Sequence, residues 1–409
     1  MFEAFKGWTS AQKHVVAASY LGWTLDAFDY FLMVFVIKDV AKEFGAGKDD
    51  IAWALTLTLA LRPVGAFIFG RLADRFGRRP VLMADVAIYS VLGFATAFSP
   101  NLIAFLIIRA LFGVAMGGEW GIGASLTMET VKPEARGLVS GLLQSGYPTG
   151  YLLASIVYRN FYDQLGHLTG MSSWRAMFLI GIVPALLILY IRRHVPESPG
   201  WSVERAKTGT VLNVLAKHWQ LAIYAVLLMT AFNFFSHGTQ DIYPTFLQVQ
   251  HHFDTHTTGN IAIIYNIGAI LGGWTFGILS QSWGRCRTIV IAALLSIPVA
   301  YLWAYSQTAA MLSLGAFLMQ FFVQGAWGVI PAHLNELSPH DARGTFPGTV
   351  YQLGNFIASY NAVLQTSIAA KSGENYSLAL AGVAVAAAVV IAVLTLMGRE
   401  ARDTDLGAA

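Results

Sequence analysis

The chain has 409 residues, 56% hydrophobic and only 12% charged, with a formal net charge of +3. A soluble domain carries about 25% charged residues, so this composition, with a mean hydropathy of +0.55, excludes an ordinary soluble protein and gives no reason to expect a nucleic-acid partner. The single cysteine, Cys286, excludes an intramolecular disulfide framework and a CxxC site.

Apolar runs of about 20 residues recur along the whole length, each long enough to cross a bilayer core as a helix. Spans are expected near 14–37, 51–74, 80–98, 101–126, 138–158 and 174–191, then near 219–247, 258–281, 287–305, 308–332, 345–367 and 377–398. Met1 to Lys13 is short and mixed and runs straight into the first span, unlike a cleaved signal. The expected fold is an all-α membrane protein of twelve transmembrane helices. It divides into a six-helix half, 1–191, a polar central loop, 192–217, and a second half, 218–409.

In chain order, the first span carries Asp26 and Asp29 three residues apart, on nearly one helix face, with Tyr30 beside them. The second holds Arg62, about eleven residues from either end and so near the midplane. The fourth carries Arg109 and, lower, Glu119, among glycines at 113, 117, 118 and 121 that permit close helix approach. The seventh contains "NFFSHGTQDIYPT", in which Asn233, His237 and Asp241 form one stripe at i, i+4 and i+8, with Gln240 adjoining. Each charge inside a span costs roughly 2.5–3.5 kcal/mol on insertion scales, so each needs a reason. Asp29 with Arg109 has a purely structural reading as an ion pair, and Glu119 as a helix brace.

With a cytoplasmic N-terminus, eighteen of the 26 Lys and Arg fall in cytoplasmic segments and six outside, Arg62 and Arg109 lying within spans. The positive-inside rule thus favours cytoplasmic termini and a plasma (inner) membrane location. The halves also repeat. "GRLADRFGRR" (70–79) aligns with "GILSQSWGRC" (277–286), and "MGGEWGIGASLTMETVKPEARG" (116–137) with "VQGAWGVIPAHLNELSPHDARG" (323–344), both at an offset of 207. The same offset puts Asp26 on Asn233 and Tyr30 on His237. Parallel repeats of this kind mark transporters with a site at the midplane between them.

"GRLADRFGRRP" resembles the loop 2–3 signature of the major facilitator superfamily, and the two E-x6-RG segments resemble its loop 4–5 and 10–11 signature. The resemblance implies a latch between the halves made of Gly70, Asp74, Arg75, Gly77, Arg78, Glu129, Arg136, Glu336 and Arg343, with Gln281 replacing the acid in the second copy. "NFFSHGTQDIYPT" is similar to the N-x-x-[ST]-H-x-[ST]-Q-D-x-x-x-T signature of fungal lactate and pyruvate permeases, which belong with the sialate:proton symporters. That likeness implies a proton-coupled carrier of small monocarboxylates, with His237 and Asp241 in coupling and substrate handling.

The chemistry is consistent with this. An arginine offers a permanent, bidentate partner to a carboxylate, Arg62 being placed best and Arg109 second. Histidine changes charge between about pH 5 and 8, and a carboxylate held away from water also titrates in that range. Proton coupling is expected among Asp26, Asp29, Arg109, Glu119, His237 and Asp241. Arg62, Asn233, His237, Gln240, Tyr30, Gln144, Gln352 and Asn355 are the expected substrate contacts. The proton is the coupling ion, and neither cofactor nor metal is called for; the external "HHFDTH" is read as hydrated loop. A monomer in the lipid bilayer is expected. The rival readings are a sialic acid or aromatic-acid proton symporter, and a nutrient sensor that binds without translocating. A membrane enzyme is disfavoured, since the sequence holds no metal cluster, nucleophile triad or phosphate loop.

Overall fold

The computed structural model describes residues 8–197, 216–339 and 346–402, with side chains for all of these except positions 48, 49, 74, 125, 129 and 133. The described residues are helical almost throughout. The N-terminal half comprises α1 (Ser10–Phe44), α2 (Lys48–Phe76), α3 (Arg78–Thr96), α4 (Leu102–Met116), α5 (Glu119–Thr130), α6 (Arg136–Gln144), α7 (Gly146–Thr169), α8 (Ser173–Leu179) and α9 (Leu186–His194). The C-terminal half comprises α10 (Trp219–Gln240), α11 (Tyr243–Val249), α12 (Thr255–Trp283), α13 (Arg285–Tyr305), α14 (Ala309–Trp327), α15 (Ile330–Leu337), α16 (Phe346–Ala358), α17 (Asn361–Lys371) and α18 (Tyr376–Met397).

Among the described residues, ten helical stretches are long and apolar enough to cross a bilayer. They coincide with ten of the twelve expected spans. The expected spans near 138–158 and 345–367 are helical as well, as α6–α7 and α16–α17 with breaks at Ser145 and at Ser359–Tyr360, but they are not among the ten.

Helix starts follow from local chemistry. Thr9 and Gln12 exchange the two bonds of a capping box, and Asn101, Asp254, Thr308 and Asn375 each accept from the backbone N–H three residues on. The glycines of the repeated loop have a specific cause. Gly77 and Gly284, at the 207 offset, hold φ of 98° and 94° between α2 and α3 and between α12 and α13, a region closed to side-chain-bearing residues.

The repeat is visible in the packing. A Cβ at Gly65 would lie 1.7 Å from the Val114 carbonyl oxygen, and one at Gly272 would lie 1.9 Å from that of Phe321. A Cβ at Gly118 would meet the Phe69 side chain and one at Gly325 that of Phe276, each at 2.5 Å. All four pairs respect the offset, so small residues at the same places seat α4 on α2 and α14 on α12. Between the halves, α12 packs on α6 and α7, and α16 on α2.

Burial is inverted relative to a soluble protein. Large apolar side chains such as Ile103, Leu186, Ile223 and Leu396 face outward, whereas Asp26, Arg62, Asp85, Arg109, Gln240 and Arg285 are fully buried. Outward-facing Trp219, Trp283, Trp53 and Tyr305 lie at the helix ends, as in an interfacial aromatic belt.

Candidate functional site

The stripe on α10 ends where the helix breaks. Asp241 is the residue that follows α10, Ile242 alone separates it from α11, and Pro244, which supplies no backbone N–H, sits in the first turn of α11. His237 Nδ1 lies 3.2 and 3.1 Å from the two Asp241 carboxylate oxygens. Tyr30, from α1 in the other half, donates its hydroxyl to Asp241 Oδ2 at 2.9 Å. Its ring meets the His237 ring edge-on at 5.9 Å between centroids. Tyr30 and His237 are repeat mates, so the pseudo-symmetry axis passes between them, and Asp241 is the acceptor shared by the two halves. His237 and Asp26 both face the protein interior, with 2% and 0% exposure.

Opposite this group stands Arg62, fully buried on α2, with its guanidinium carbon 5.5 Å from the Tyr30 ring centroid. Its one hydrogen bond is from Nη2 to the Met116 sulfur at 3.6 Å, while Nε and Nη1 have no partner among the described residues. Asp26 and Tyr351 lie within its electrostatic reach. A permanently charged, fully buried fork with Nε and Nη1 unpartnered among the described residues suits a carboxylate. Aromatic rings close the space. Phe31 stacks on Tyr151 at 3.6 Å, Trp23 stacks on Tyr147 at 5.3 Å, and Trp120 and its repeat mate Trp327 flank Tyr351 at 4.5 and 5.6 Å.

The remaining expected residues divide. Asn233 donates to the Met229 carbonyl and keeps its Oδ1 unpartnered. Gln240 donates to Gln320 Oε1 at 2.7 Å, and Gln320 donates to Thr239 Oγ1, so the Gln240 amide fastens α10 to α14. Gln144 accepts from Trp120 Nε1 at 3.4 Å. Gln352 donates across the halves to the Gly117 carbonyl at 3.3 Å and accepts from Asn355, whose own Oδ1 is unpartnered.

Arg109 is packed over Phe112 and within 5.7 Å of the Phe178 ring centroid, with no hydrogen-bond partner for its guanidinium among the described residues. Asp29 sits in a notch where a Cβ at Gly93 or Gly181 would come within 3.2 Å of its oxygens, and neither oxygen is hydrogen-bonded. The direct Asp29–Arg109 ion pair that sequence allows is therefore not formed. Glu119 turns towards α1, its Oε1 occupying the place a side chain at Gly22 would fill. The sequence reading missed Asp85, fully buried on α3 with both oxygens unpartnered. The signal was present: an aspartate inside the apolar run "VLMADVAIY".

Contacts cross between the halves towards both ends of the bundle. At the end carrying the repeated loops, the Gly137 N–H donates to Gln281 at 3.2 Å, Ser140 donates to the Gly328 carbonyl at 2.8 Å, and Gly121 touches Gly348. At the other end, besides Tyr30 and Asp241, Gln248 donates to Tyr158 at 3.1 Å and Arg159 donates to Asn260 at 2.5 Å.

Of the expected latch, the side chains of Asp74 and Glu129, and Arg343 altogether, lie outside the described residues. Arg75 is exposed, a Cβ at Gly70 would meet nothing within 4 Å, and Arg136 is buried. Arg285, read from sequence only as topological charge, makes a bidentate, fully buried pair with Glu336, at 2.9 Å on both arms. It also donates to Ser280 and to Gln281. Glu197 accepts from the Arg78 N–H at 2.9 Å, capping α3, and Glu400 accepts from the Cys286 N–H at 3.0 Å, capping α13. Acids after the sixth and last expected spans thus seal the ends of their own halves.

A bundle of membrane-length helices, apolar outside and polar within, defines an integral, multi-pass membrane transporter. The Major Facilitator Superfamily description matches residues 19–254, and the Sugar (and other) transporter description matches 210–400. The chain belongs to the Major Facilitator Superfamily.

It is 29% identical over 376 residues to the Carboxylic acid transporter protein homolog of Saccharomyces cerevisiae, covering 86% of this chain but only 60% of that protein. It is 25% identical to the Sialic acid transporter NanX of Escherichia coli, over 93% of each. It is also 25% identical to the Niacin transporter NiaP of Acinetobacter baylyi, over 94% of this chain and 93% of the other. The solved proton:xylose symporter XylE superposes with a TM-score of 0.70 at 19% identity, covering 93% and 95% of the two chains, which supports the fold alone. Fold and relatives are those of transporters, and the substrates that the relatives' names carry are of carboxylate type.

Proposed function

We propose that the protein is a secondary active transporter that carries a small monocarboxylate, of the lactate and pyruvate class, together with a proton by alternating access. The observation that carries this reading is the Asp241 carboxylate, shared between His237 of its own half and Tyr30 of the other. A proton arriving at the His237–Asp241 pair changes the charge of the acceptor that holds the two halves together. Arg62, with two unspent donors beside Tyr30, takes the substrate carboxylate in the same chamber.

Anion and proton cancel each other's charge, so the loaded chamber crosses the closed state at lower cost than either alone. The halves 1–191 and 218–409, joined by 192–217, then rock about the site, opening one end as the other stays latched. The fungal relative's name and the "NFFSHGTQDIYPT" stretch support a short acid. The aromatic wall of Phe31, Tyr147, Tyr151 and Tyr351 favours a second reading, a carboxylate on a ring, in keeping with the niacin-transporting relative.

Competition decides between them. Proteoliposomes are loaded by a proton gradient with labelled lactate in the presence of excess pyruvate, nicotinate or sialic acid. Displacement by pyruvate alone supports the short-acid reading. Displacement by nicotinate or sialic acid but not by pyruvate overturns it.

A further inference from the structure

The N-terminal half contains more buried acid than its buried base can balance. Asp26, Asp29, Asp85 and Glu119 are at most 3% exposed, and the buried guanidiniums within their reach are Arg62 and Arg109. Seven of the eight carboxylate oxygens have no hydrogen-bond partner among the described residues.

The acids are neighbours. Glu119 Oε1 fills the notch at Gly22, one helical turn before Asp26 on the same face of α1. Asp85 interacts electrostatically with Asp26 and with Glu119. Tyr89, one turn after Asp85 on α3, is buried with an unpartnered hydroxyl and faces the same three acids together with Asp29. Arg62 from α2 faces Asp26 and Glu119, and Arg109 from α4 faces Asp26 and Asp29.

If all four acids were ionised, two negative charges would stand uncompensated in this buried region. A carboxylate arriving at Arg62 would add a third. Uncompensated buried charge is far costlier than protonation of the group that bears it. Among the described residues neither Asp85 oxygen receives a donor, so a structural role as a hydrogen-bond acceptor between these helices is not realised.

We propose that Asp85 and Glu119 form a second proton-binding site, separate from the His237–Asp241 pair, which fills when a carboxylate occupies Arg62. The inference rests on the carboxylate-symport reading for its trigger, though not for the existence of the site. A proton from water at one end binds a carboxylate oxygen and later returns to water at the other, so no further reactant is needed. By linkage, anion and proton each bind more tightly in the presence of the other.

The test is infrared difference spectroscopy of the purified protein in lipid, titrated with pH, for wild type, Asp85→Asn and Glu119→Gln. The expected result is a protonated-carboxyl stretching band that grows on adding lactate and is lost in Asp85→Asn, with a second component lost in Glu119→Gln. Reversal-potential measurements in proteoliposomes should show the proton-to-lactate ratio halved in Asp85→Asn. An unchanged set of carboxyl bands and an unchanged ratio in Asp85→Asn would overturn the proposal. Should Asp85→Asn fail to fold, Glu119→Gln carries the test, and a lactate-induced carboxyl band unchanged in that variant would overturn the proposal. A band lost in Asp85→Asn, in a protein that does not carry lactate, would uphold the site and refute the substrate reading alone.

Discussion

Tyr30→Phe removes one oxygen and leaves the ring in place. The ring keeps its edge-on contacts with Phe31 at 5.1 Å and His237 at 5.9 Å, so packing is retained while the 2.9 Å bond to Asp241 is lost. A hydrogen bond to a charged group contributes about 1.5–3 kcal/mol net. In the open state both partners regain water, so this energy belongs to the closed state. At 1.4 kcal/mol per tenfold, the ratio of open to closed molecules at that end should rise about 10- to 100-fold. Spin labels at exposed Asp163 and His256, on either side of the cleft, report that ratio as a distance distribution. Replacing Cys286, the sole cysteine, by Ser clears the background. A distribution in Tyr30→Phe that matches the parent would refute the assignment of this bond as a gate between the halves.

His237→Asn should lower the number of protons moved per lactate, and with it proton-driven accumulation, while lactate counterflow continues, since exchange needs no net proton movement; an unchanged ratio removes His237 from coupling. Arg62→Lys replaces a planar fork by a single-point charge, and the half-saturation concentration for substrate should rise about tenfold or more. Glu336→Gln leaves Arg285 buried without its counter-charge. It should cost about 3–5 kcal/mol, seen as a lower unfolding temperature in lipid or detergent. Gly117→Ala sets a Cβ 2.0 Å from the Arg62 carbonyl oxygen, so that α2 and α4 must part. It should cost about 1–3 kcal/mol and lower transport through displacement of Arg62.

The fold was legible because its driving patterns are long-range and redundant. Twenty-residue apolar runs have one stable use, and the 207-residue offset by itself places Gly77 on Gly284 and Trp120 on Trp327. The two stretches that fall outside the ten, α6–α7 and α16–α17, are rich in Gly, Pro, Gln and Asn, while a break within a span is common to them and to α4–α5, α10–α11 and α14–α15.

The stripe on the seventh expected span was legible from helical spacing alone. Its partner was legible only through the repeat, which pairs Tyr30 with His237. What sequence did not reveal is which donors are already spent. Gln240 has the same spacing credentials as His237, yet its amide is committed to Gln320, eighty residues away in sequence. Arg285 looked like topological charge because its partner Glu336 is distant along the chain. Asp85 escaped notice because a single acid in an apolar run makes no periodic pattern. Its meaning depends on Asp26 and Glu119, contributed by other helices.

The central claim is that a carboxylate and a proton move together, and proton movement driven by substrate alone measures it most directly. Proteoliposomes containing the purified protein and a trapped pH-sensitive dye, with no imposed gradient, are given external lactate. The account predicts acidification of the lumen in step with labelled lactate entry, reduced in His237→Asn and collapsed by an uncoupler. Lactate entry with no change in lumenal pH would contradict it.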